Sequence, residues 1–183
     1  MNKLKGINYK FFIVSLFIDL LIVPFHELVH AIVYKMQGYE VIFHFTSAEP
    51  INGVNTIFGA TVGLGANILF ASIFALLFIE CKNLYIYAMV VANTLMARIV
   101  AYIFALFGLR SLNDEIYIAK TFGVSPTMVY SIGLFVMCLI IGMSTRRLFI
   151  EYGKKYSLHI VALSAAACTV AFLIIKYIEI SGI

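Results

Sequence analysis

The chain has 183 residues, 63% of them hydrophobic and 12% charged, with a mean hydropathy of +1.02; this profile excludes an ordinary soluble domain. The net charge of +4 is spread over short loops rather than gathered into a basic face, so nucleic acid is not expected as a partner. Cys81, Cys138 and Cys168 lie far apart, which argues against a disulfide framework or a thiolate metal cluster and leaves them as packing residues.

Apolar runs long enough to cross a bilayer, about 20 residues each, fall at 11–36, 57–79, 84–107, 126–144 and 158–178. They predict an all-α membrane protein with about five transmembrane helices. It forms a single integral-membrane domain over 1–183, with a core over 10–123 and additional helices over 124–183. The first run continues well past a signal-peptide apolar region and has no A-x-A-like site before Pro24, so it is expected to stay in the mature protein. A multi-pass protein of the cell membrane is the expected setting, with the lipid bilayer as its constant partner.

Between the first two runs, Tyr39 to Thr46 alternates, with Val41, Phe43 and Phe45 on one face and Glu40, Ile42, His44 and Thr46 on the other. That is the period of a strand. Asn52-Gly53 then supplies a turn, and Val54 to Phe58 a second arm. A small membrane-associated β-hairpin is therefore expected, with Pro50 making its pairing irregular. The remaining loops leave no room for a soluble recognition domain.

The cations divide unequally. Lys3, Lys5, Lys10, Lys82, Arg146, Arg147, Lys154 and Lys155 fall on the side of the N-terminus, and Lys35, Arg110, Lys120 and Lys176 on the other. The positive-inside rule then favours a cytoplasmic N-terminus.

The first run contains His26-Glu27-Leu28-Val29-His30. Residues four apart share a helix face, about 6 Å from one another, so the two histidines can offer imidazole nitrogens to one zinc ion. Glu27 lies beside that position, where a carboxylate can take a proton from a water acidified by the metal and deliver it to a leaving amine. Each ionisable residue at the centre of a membrane helix costs about 2.5–3.5 kcal/mol on insertion scales, so three within five positions call for a strong reason. At 1.5 Å per residue His26 lies roughly 22 Å from a helix start near Phe11 and about 15 Å from its end near Met36, inside the bilayer.

A catalytic zinc needs a third protein ligand. The third run ends on the same side as the first and is followed by Asn113-Asp114-Glu115. Asp114 is the leading candidate, with Glu115 and His44 behind it, and the competing role for these acids is to cap a helix. Glu80 lies at the wrong end of the second span. Two further charges are intramembrane, Asp19 and Arg98. They are expected to pair as a clamp between helices; alternatively Arg98 faces the cavity and polarises a substrate carbonyl or orients Asp114.

The sequence resembles the site-2 protease family of intramembrane zinc metalloproteases. The resemblance rests on Phe25-His26-Glu27-Leu28-Val29-His30-Ala31, on Gly63-Leu64-Gly65-Ala66-Asn67 in the second run, and on the acidic residue after the third; it covers roughly residues 10–120. It implies a zinc endopeptidase cutting peptide bonds in or next to membrane segments of a protein or peptide substrate. His26, His30 and Asp114 would be the ligands, Glu27 the base and Asn67 a residue pointing at substrate. The family binds substrate as an extended strand beside a membrane-embedded hairpin and sets its catalytic centre nearer the cytosol, an orientation opposite to the charge count. This chain departs from the family in having no proline between Pro50 and Pro126 and in having Glu115, not glycine, after Asp114. Physically, Gly59, Gly63 and Gly65 suit close helix approach. A different reading is a non-catalytic membrane protein with a structural or transient metal site.

Overall fold

The structure, a computed structural model, describes residues 2–51 and 56–181, with side chains from Tyr9 onward. Among these residues are seven α-helices and one π-helical segment. They are α1 (Asn2–Met36), α2 (Ile57–Cys81), α3 (Leu84–Val91), the π segment (Ala92–Ile99), α4 (Val100–Leu106), α5 (Asn113–Phe122), α6 (Pro126–Tyr152) and α7 (Lys154–Ser181). α3, the π segment and α4 run on as one rod, so five helices are long and apolar enough to cross a membrane: Tyr9–Met36, Ile57–Cys81, Leu84–Leu106, Pro126–Tyr152 and Lys154–Ser181. The expected five spans are present. The fourth and fifth are longer than their apolar runs, and Arg146 and Arg147 ride on the last turns of α6.

Local chemistry fixes the ends. Thr56 caps α2, its hydroxyl accepting from the Gly59 amide at 3.0 Å, and Asn83 caps α3 by accepting from the Tyr85 amide at 2.8 Å. Ser125 accepts from the Met128 amide ahead of Pro126, which sits where a helix has no use for the missing N–H. α6 and α7 are joined through Gly153 alone, whose φ of 75° only glycine adopts freely.

The third span is the most buried of the five, at 61% of its central window against 17–33% for the others. Most of the residues in that stretch therefore face protein rather than lipid. One core joins Phe11, Ile22, Phe78, Tyr87, Val91, Leu148 and Ile175 across α1, α2, α3, α6 and α7. A second, around Tyr102, Leu112 and Tyr130, seats the short helix α5 below the end of the third span.

Between α1 and α2 lies a two-stranded antiparallel sheet, β1 (Val41–Phe43) and β2 (Ala48–Pro50). The hairpin is where it was expected, but its turn is the His44–Ser47 segment. Asn52-Gly53, the expected turn, lies outside the described residues, and Ile57 and Phe58 of the expected second arm begin α2. Pro50 is accommodated because it faces Val41 in a position that donates nothing to the ladder.

Lys82 and Glu151 form an ion pair at 3.3 Å and Tyr152 donates to the Lys82 carbonyl, so the α2–α3 and α6–α7 corners meet on one side of the bundle. The hairpin, the α4–α5 connection and the end of α7 gather on the other.

Candidate metal centre

The site forms where α1 crosses α2 beneath the start of α5. Gly59 and Gly63 lie one turn apart on α2, and both face α1. A Cβ at Gly59 would collide with the Tyr34 ring, and one at Gly63 with both His26 and His30. The two glycines thus let α1 side chains lie directly on the α2 backbone, as small residues do at close membrane-helix crossings. Gly65, expected to share this role, is exposed and touches nothing within 4 Å.

The same contact sets the imidazoles. His30 Nδ1 donates to the Gly59 carbonyl at 2.9 Å, and His26 donates to the Gly63 carbonyl. Arg98 Nη2 donates to His26 Nε2 at 2.7 Å, so the His26 proton resides on Nδ1. Both Nε2 atoms point the other way, 3.2 Å apart. Asp114 Oδ2 lies 3.2 Å from His30 Nε2 and 3.9 Å from His26 Nε2. All three atoms are within 4.8 Å of one another.

This donor set fits a metal ion. A cation at the centre could take the lone pairs of both Nε2 atoms and of the Asp114 oxygen together, replacing the Arg98 N–H that His26 Nε2 otherwise accepts. Tetrahedral zinc with bonds of about 2.0–2.1 Å sets its ligand atoms roughly 3.4 Å apart, close to the observed spacing. The backbone carbonyls behind each ring are the outer partners that orient metal-binding histidines.

Glu27 lines the same cavity, of about 450 Å³, together with Asn67, Arg98 and the hairpin residues Thr46 to Pro50. Its carboxyl accepts from the Ala48 amide. That amide is free to donate because of the sheet register. The His44 amide bonds the Ser47 carbonyl and the Ile51 amide the Glu40 carbonyl, so alternate residues Ala48 and Pro50 turn their backbone groups outward. The outer edge of β2 therefore faces the cavity and offers two unladdered carbonyls. Asn67 is buried, with its amide 3.2 Å from His26 Nδ1. Because that nitrogen carries the proton, the amide oxygen must face it, leaving the NH2 as a donor.

One expectation is corrected here. Arg98 does not pair with Asp19: its Nη1 is 3.0 Å from Glu115 Oε1, and Glu115, fully buried, also accepts from the Tyr102 hydroxyl at 3.1 Å. Asp19 instead hydrogen-bonds Cys168 across the α1–α7 contact. Tyr34 is buried and stacks on His30, with ring centroids 6.2 Å apart. Of the alternative ligands, Glu115 is held by Arg98 and Tyr102, and His44 lies outside the cavity lining. The Arg98–Glu115–Tyr102 cluster was signalled in the sequence only by an arginine in a span, which requires an acid somewhere. No family model, no curated protein and no solved structure matches the chain.

Proposed function

We propose that the protein is a zinc-dependent intramembrane endopeptidase, hydrolysing peptide bonds in or beside membrane segments of its substrates. The observation that carries the reading is the convergence of two imidazole Nε2 atoms and one carboxylate oxygen, each ring pinned by a backbone carbonyl, next to the carboxyl of Glu27. Three ligands rather than four favour catalysis over a structural site, since a catalytic zinc keeps one position open. Zinc bound there would supply a water activated for attack and an electrophile for the carbonyl.

The chain's own residues do the rest. Glu27 takes the proton of the attacking water and returns it to the departing amine as the C–N bond breaks. Asn67 holds the substrate backbone through its NH2. The outer edge of β2 takes an extended peptide as an added strand, its carbonyls accepting from substrate amides. An unwound segment pairs there because lipid offers its backbone no partners.

Glu27→Gln is the test. The purified variant should retain one zinc per chain and its fold while cleavage of a membrane-segment peptide falls by at least about 1,000-fold, as expected for loss of an essential proton carrier. Retained cleavage rules the reading out.

A further inference from the structure

Arg98 carries a positive charge in the interior of the third span with only 6% of its surface exposed. Its guanidinium is divided between two tasks. Nη1 is anchored on Glu115 at 3.0 Å, and Glu115 is itself held by Tyr102, whose ring packs against Gly133 of α6. The ion pair leaves no net charge in the apolar surroundings. Nη2 points instead at the metal-binding atoms, 2.7 Å from His26 Nε2 and 3.8 Å from Asp114 Oδ2. A neutral donor would have sufficed to orient His26; the chain places a rigid, charged fork there, backed by a buried carboxylate.

We propose that Arg98 is a catalytic residue that stabilises the oxyanion formed during peptide hydrolysis. The assignment rests on the protease reading. His26 Nε2 has one lone pair, which a cation and the Arg98 N–H cannot both use. With that lone pair given to a bound cation, the Arg98 N–H would be free to donate elsewhere, within about one hydrogen-bond length of the reacting centre. As water oxygen bonds to the carbonyl carbon and Glu27 accepts its proton, the carbonyl π electrons move onto oxygen, and Nη2–H donates to the resulting oxyanion. Collapse restores the C=O bond, breaks C–N and sends the Glu27 proton to the amine. A fixed cationic donor in a water-poor site strengthens only as charge develops, which is the condition for lowering a barrier. Glu115 and Tyr102 are positioning residues that hold the fork.

The test uses the zinc-loaded full chain in detergent micelles and three variants: Arg98→Lys, Arg98→Gln, and the double change Arg98→Gln with Glu115→Gln. The double change removes both buried charges together and so guards against misfolding from an unpaired glutamate. Expected are one zinc per chain in each folded variant, kcat reduced about 100- to 1,000-fold and KM changed by less than about three-fold. A phosphoramidate dipeptide, which imitates the tetrahedral oxyanion, should bind the variants about 100-fold more weakly than the wild type. Loss of zinc from the double variant would make Arg98 a scaffold residue and overturn the assignment. So would unchanged binding of the phosphoramidate alongside intact cleavage, which leaves the protease reading standing. A wild-type chain that neither cleaves nor binds the analogue overturns both.

Discussion

At the scale of the residue, Asp114 is the candidate ligand whose removal is most informative. It is on the first turn of α5, one-fifth exposed at its side chain, and joins His26 and His30 only through space. Asp114→Ala leaves two imidazoles, which hold zinc far less tightly than three ligands do, so zinc remaining after dialysis against a chelator should fall from one per chain to a small fraction, with affinity reduced at least about 100-fold. Full retention would remove Asp114 from the site. His26, Glu27 and His30 were legible because a helix fixes their relation locally. Asp114 was legible by counting crossings, which says on which side a loop emerges. The partner of Arg98 was not. Asp19 and Glu115 both satisfied the demand for an acid, and the choice depended on helix rotation.

At the scale of the element, that rotation traces to the π segment. Its wider turn inserts an extra residue, which turns later positions by about 100° relative to a continuous α-helix. Nothing in Ala92–Ile99 announces this, there being neither proline nor glycine. What is present is Asn93 and Thr94, whose side chains donate to the carbonyls of Met89 and Val90 four residues back and so compete with the backbone amides for them. The hairpin was legible as an alternating stretch, but its register shifted, because a turn signal at 52–53 says little against a shorter closure at His44–Ser47. α2 was legible as glycine-rich, while which glycines matter was a question of face. Gly63→Ala should therefore act as a site mutation. Its methyl would occupy space filled by both imidazoles, whose Nδ1 bonds to Gly59 and Gly63 hold them in place. Zinc affinity and cleavage should each fall at least about 100-fold, with about 1–3 kcal/mol lost from stability through overpacking. Gly65→Ala, on the exposed face of the same helix, should leave zinc content unchanged.

At the scale of the whole molecule, the two ends of the bundle differ in chemistry. The N-terminal side carries Lys82 against Glu151 and the basic stretches Arg146-Arg147 and Lys154-Lys155; the other carries the hairpin, Asp114 and the mouth of the cavity. Cations close to a span retain their side of the membrane during insertion, and acids count for little. The excess on the N-terminal side therefore predicts an N-terminus in the cytoplasm and a cavity mouth away from it, opposite to the orientation that the family resemblance implies. Single-cysteine labelling decides between them. In a background with Cys81, Cys138 and Cys168 all changed to Ser, Lys155→Cys, exposed near the start of α7, should react with a membrane-impermeant maleimide only in inverted vesicles, and Lys120→Cys, exposed on α5, only in intact cells. The reverse pattern would place the substrate strand and the hairpin on the cytoplasmic side and show that local packing of α5 outweighed the charge bias. With the expected pattern, substrates would have to present their cleaved segment from the far side of the membrane, which confines them to proteins already inserted or exported across it.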